Sequence, residues 1–171
     1  LAYKFYEVEY NSVRYSKITS LIKKLFTSFY KPSGTGGYVQ SGWRRGDDTL
    51  HEANGHHEGN IDAFAALKLC DVGVDTITNI KNWLEGELTT RLSNQNLPLD
   101  LYSWRVLAFG EDYKFLLSIP ENDERYRKEV MFNGKKIIGF YSSQDALVNN
   151  VWVDGTAHLA CAYLQYGDAE K

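Results

Sequence analysis

HEANGHHEGNIDAFAAL, residues 51–67, sets a polar, histidine-rich segment directly against an apolar helical pattern. Between His51 and Asp62 stand His51, His56, His57, Glu52, Glu58 and Asp62 itself. Beyond them Ile61, Phe64, Ala65, Leu67 and Leu69 return at helical spacing, which predicts a loop delivering acids onto a helix from about Asn60 to Asp71. Gly55 and Gly59 let the backbone turn before it. Asn60 or Asp62 is expected to cap its first turn.

Working outward, Ile77, Ile80, Leu84, Leu88 and Leu92 keep a four-residue beat after Gly73, so a second helix follows by a short link. Helices so joined run antiparallel, as an αα-hairpin. Upstream, Ile18, Leu21, Ile22, Leu25, Phe26 and Phe29 predict an amphipathic helix capped by Asn11 or Ser12 and stopped by Pro32. Leu1 to Tyr10 alternate loosely and read as a short strand or extended lead-in. Residues 31–50, KPSGTGGYVQSGWRRGDDTL, are too rich in glycine for regular structure and read as a long functional loop. With no preceding strand and no GK[ST], those glycines do not make a phosphate cradle.

Downstream, Pro98 opens a helix over Asp100 to Phe109 with Leu101, Trp104 and Leu107 on its apolar face, and Gly110 closes it. A short helix over Tyr113 to Leu117 ends at Pro120, and Asn133-Gly134 predicts a β-hairpin turn. The last helix carries Thr156, Leu159, Ala160, Tyr163 and Leu164 on one stripe, with Asp154 or Thr156 at its head. About six helices, mostly paired, give an all-α class: helical hairpins of an (α/α) toroid with a minor β-hairpin.

The 171 residues, 43% hydrophobic and 24% charged, suffice for a single helical domain, 1–171, with a proper core. A net charge of -3 with only isolated basic doublets provides no basic face, so nucleic acid is not expected as a partner. No run approaches the roughly 18 apolar residues of a membrane span. Four Trp and twelve Tyr, several in glycine-rich sequence, suit flat ligands such as sugar rings. Cys70 and Cys161 lie in apolar helical patterns and read as small buried side chains, which leaves the compartment open.

Three segments, HEGNIDAFAAL, LDLYSWRVLAFG and VWVDGTAHLACAY, resemble in the same order the signature segments of bacterial proteins of the six-hairpin glycosidase superfamily. The likeness extends over most of residues 13 to 168. Two positions depart from the pattern: Gly59 follows Glu58 where the family has histidine, and Asp154 replaces a glutamate one methylene longer. The resemblance implies an (α/α)6 ring with a sugar-cleaving site at one mouth. Six helices are about half of such a ring, so the remainder of a larger chain is an expected partner, beside an oligo- or polysaccharide. A bacterial extracellular or periplasmic setting is slightly favoured over the cytoplasm.

Glycoside cleavage needs two carboxyl groups across the scissile bond. Glu58, Asp62, Asp100 and Asp154 fall at expected helix starts, which a toroid gathers at one mouth; acids there also serve as ordinary caps. Glu58, Asp62 and Asp154 are the candidate catalytic acids. Tyr38, Trp43, His57, Asp100, Trp104 and Trp152 are the candidate substrate contacts, although Trp104 on an apolar stripe also suits the core, as does Trp83. A non-catalytic carbohydrate-binding or structural toroid is the alternative. A metal-dependent hydrolase built on the His51–Glu58 cluster is a third reading, but His51-Glu52 to His56 is HExxxH, whose spacing does not align two imidazoles on a helix face, so neither metal nor other cofactor is expected. His158 reads as a helix-packing or hydrogen-bonding residue. No GxSxG is present for serine chemistry.

Overall fold

A computed structural model describes residues 2–44, 46–51, 55–93, 97–142, 147 and 149–167, with side chains left out at 43–44, 47–51, 91 and 93. Over these the chain is mostly helical, with seven α-helices and three two-stranded antiparallel hairpins. It divides into two compact units, Leu1–Thr89 and Thr90–Lys171.

In the first unit α1 is Ala2–Glu9 and α2 is Ser16–Ser28. The extended lead-in expected at the start is therefore a helix. Its turns are tied by Lys4 to Glu7, 3.6 Å apart, and by the rings of Tyr6 and Tyr10, four residues apart with centroids at 4.8 Å. Helix α2 begins later than Asn11 or Ser12 predicted and ends before Pro32, which lies in a strand. Its apolar stripe is split. Ile22 and Phe26 line a small cavity with Ala66 and Leu67, whereas Ile18, Leu21 and Leu25 are exposed. Lys23 turns inward with the former pair, and its Nζ donates to the carbonyls of Cys70 (3.1 Å) and Asp71 (3.2 Å).

Two hairpins occupy most of the region expected to be a long loop: β1 (Tyr30–Ser33) with β2 (Gly36–Val39), and β3 (Trp43–Arg44) with β4 (Asp47–His51). Gly34, at φ 56°, makes the first turn. The glycines that suggested looseness instead permit close packing. A Cβ on Gly36 would meet the backbone nitrogen of Trp83 at 2.8 Å.

Helices α3 (His57–Leu69) and α4 (Val74–Ser93) follow, linked through Asp71 at φ 51°. Ile61, Phe64, Leu67, Ile80, Leu84 and Leu88 are buried, each such side chain contributing about 1.5–3 kcal/mol. Contacts of His57, at the head of α3, with Trp83 and Glu87, well along α4, fit the antiparallel pairing the short link predicted.

The second unit is built on α5 (Leu99–Phe109), opened by Pro98 and closed by Gly110 at φ 98°. Its buried face is Leu99, Leu101, Tyr102, Arg105 and Val106; Leu107, expected inside, is exposed. A 3-10 turn (Glu111–Leu117) leads to the short α6 (Ser118–Glu121), which contains Pro120. Strands β5 (Arg127–Phe132) and β6 (Lys135–Phe140) meet at Asn133 (φ 50°) and Gly134 (φ 74°), the two left-handed residues of the hairpin turn that Asn-Gly predicted. Helix α7 (Val153–Tyr166) buries Gly155, Leu159 and Ala162. Ala160 and Leu164, expected on that stripe, face solvent. Cys161 is exposed and Cys70 partly so, which corrects the expectation that both are buried.

Beneath α5 the Tyr126 hydroxyl donates to the Leu97 carbonyl and meets the Tyr102 hydroxyl at 3.4 Å. Burial raises the pKa of both phenols above the ordinary tyrosine value. Among the described residues no helix is long and apolar enough to cross a membrane.

Candidate functional site

The expected site residues are divided between the two units. In the first, His56 adopts an extended conformation (φ -91°, ψ 136°) and α3 starts at His57. Asn60 does not cap this helix with its side chain. Its Oδ1 accepts from the Val39 N–H (2.7 Å), and its Nδ2 donates to the carbonyls of Val39 (2.9 Å) and His56 (2.8 Å). One amide thus clamps β2 to the first turn of α3.

The clamp sets Tyr38 beside the helix head. Its ring lies over Gly55, where a Cβ would stand 2.7 Å from Cδ2, and tilts against Trp83 with centroids 5.2 Å apart. Trp83 in turn meets the His57 ring at 5.1 Å. Tyr38, Trp83 and His57 therefore form a continuous row of rings. Trp83, assigned to the core from sequence, is its middle member. His57 is buried, and its Nε2 lies 3.9 Å from an oxygen of Glu87, one turn beyond Trp83 on α4. Trp83 and Glu87 were not legible as site residues because their partners belong to another helix.

Glu58 extends from the first turn of α3, half-exposed, with Oε2 4.0 Å from His56 Nδ1. Asp62 follows one turn later and is exposed. The spacing puts both acids on one helical face. The side chains of Trp43 and His51, and all of Glu52, lie outside the described residues. Of the proposed metal cluster, His56 is exposed and His57 buried, and among the described residues no three His, Cys, Asp or Glu side chains are grouped to hold an ion.

In the second unit Asp100 is buried in the first turn of α5, with Oδ1 accepting from the Leu101 N–H at 3.1 Å. It faces the next N–H of its own helix, while Pro98 holds the cap position and no side chain caps the helix, so the capping expected of an acid here is not what Asp100 does. Trp152 precedes α7. Its backbone N–H donates to the Phe140 carbonyl (2.8 Å), and the Phe140 N–H donates to Thr156 Oγ1 (3.0 Å). These bonds fix the head of α7 on the end of β6. The Trp152 ring lies directly over Gly155, where a Cβ would stand 2.8 Å from Cδ2 and closer still to other ring carbons.

Asp154, in the first turn of α7, is 70% exposed, with Oδ1 3.7 Å from Nε2 of His158. Trp104, half-buried on α5, donates its indole N–H to His158 Nδ1 at 2.9 Å. Asp154, His158 and Trp104 are thus in series across two helices. The hydrogen-bonding role read for His158 is the one it performs here, while its partner, 54 residues upstream, was not visible locally. Comparison with known proteins finds no matching family model, curated protein or solved structure.

Proposed function

We propose that this chain is a carbohydrate-active helical protein of the six-hairpin glycosidase type, acting as a glycoside hydrolase on an oligo- or polysaccharide. The observation that carries the reading is the head of α3, where Glu58 and Asp62 stand one turn apart and the row Tyr38, Trp83, His57 begins. Paired carboxyls supply proton transfer and a base or nucleophile, while ring faces complement the apolar faces of sugars. Further support comes from the other two resembling segments, each of which forms a helix with an acid in its first turn, Asp100 in α5 and Asp154 in α7. On this reading the helical hairpins are of the (α/α) toroid type.

The test is hydrolysis of a panel of glucans and mannans by the protein and by Glu58→Gln. Removing a proton-transfer group lowers the rate by roughly 10²- to 10⁴-fold. A Glu58→Gln protein that keeps full activity overturns the assignment. A binding module is favoured by one observation, the solvent exposure of Asp62 and Asp154, since proton donors in such enzymes sit in drier surroundings. Oligosaccharide binding by calorimetry, with no substrate cut, selects that reading.

A further inference from the structure

We infer that Trp104 is a positioning residue: its indole N–H holds His158 in the Nε2–H tautomer and directs that N–H at the Asp154 carboxylate. The inference about catalysis rests on the glycosidase reading, whereas the tautomer stands on geometry alone. An indole nitrogen can only donate. At 2.9 Å from Trp104 Nε1, His158 Nδ1 must therefore offer a lone pair, and the proton of the neutral ring belongs to Nε2. That nitrogen is the one lying 3.7 Å from Asp154 Oδ1. The gap exceeds a hydrogen bond, but Asp154 is exposed and one turn away on the same helix, so a small side-chain rotation closes it.

A buried indole needs only some acceptor, and a carbonyl or water would satisfy it. Here the acceptor is an imidazole whose second nitrogen faces an acid at the head of α7. Both Asp154 and His158 remain open to solvent, so a ligand can reach them. A carboxylate that receives this N–H is held as a hydrogen-bond acceptor. On the glycosidase reading, Asp154 so held accepts a hydrogen bond from a water or sugar hydroxyl at the head of α7 and fixes its position.

The experiment uses the full chain with ¹⁵N-labelled histidine and long-range ¹H–¹⁵N correlation of the imidazole rings at neutral pH. The expected result is an Nε2–H pattern for His158 that becomes a tautomer mixture in Trp104→Phe, with the other three histidines unchanged. An Nδ1–H pattern in the unaltered protein overturns the inference and requires no variant to fold. So does a His158 pattern unaffected by Trp104→Phe. On a cleaved glycan, Trp104→Phe should lower kcat roughly 10- to 100-fold with little change in KM, as misplacement of a reacting group does. An unchanged kcat, beside loss of activity in Asp154→Asn, overturns the positioning role. If the Nε2–H pattern is present but no glycan is cut, the tautomer assignment is supported and the glycosidase reading is the part that fails.

Discussion

Asn60 meets three backbone groups with one side-chain amide, and all of it is buried. In Asn60→Ala the Val39 N–H and carbonyl lose their partner while remaining inside, at about 1–3 kcal/mol for each unmatched group. The expected outcome is an unchanged m-value and a urea midpoint lowered by that free energy divided by m. Asn60→Asp should destabilise at least as much at neutral pH, since it buries a carboxylate oxygen against the Val39 and His56 carbonyls where Nδ2 donated. From sequence Asn60 reads as a helix cap, because an Asn before an apolar run is a local signal and its partner 21 residues upstream is not. The same limit hides the pairing of His158 with Trp104. What was legible at this scale was chemistry: acids at the heads of helices α3, α5 and α7.

Elements were read best where periodicity or turn chemistry is strong. Helix α4 keeps its beat from Ile80 to Leu88, and Asn133-Gly134 makes the β5–β6 turn. Gly134→Val should destabilise the hairpin by about 1–2 kcal/mol, because a branched side chain is poorly tolerated at φ 74°. Equal thermal midpoints for Gly134→Val and the unaltered chain would contradict that. In α7, Gly155→Ala should push the Trp152 indole off the helix head, read as a red shift and loss of intensity in tryptophan emission. The β1–β2 hairpin was missed because its glycines look like loop sequence, although Gly36 is demanded by the approach of α4. Helix α2 was found, yet its orientation was not. An apolar stripe this wide allows two rotations, and the Lys23 bonds to the end of α3 select the one that leaves Leu21 exposed.

Over the whole molecule, stability should fall at both ends of the pH scale for separate reasons. Burial raises the pKa of Tyr126, Tyr163 and Tyr102, and the Glu121 carboxylate adds to the rise at Tyr163. A raised folded value means that this stability is complete below about pH 10, the unfolded tyrosine value, and is lost as pH climbs towards the folded ones. The tyrosinate absorbance of these three among the twelve tyrosines should therefore appear only together with loss of helical circular dichroism. Ionisation of all twelve while the helical signal is intact would disprove it. On the acid side, the Arg125 guanidinium lowers Asp123, so its contribution is present above about pH 4 and lost as pH drops through the lowered folded value. Helical class was readable from composition and spacing. The division into Leu1–Thr89 and Thr90–Lys171 was not, since α4 runs through it without a break in pattern. The exposed thiol of Cys161 lies three residues beyond His158, close to one turn of α7. A maleimide dye should therefore couple there faster than at the more sheltered Cys70, giving an optical reporter for titrating sugars when nothing is cut.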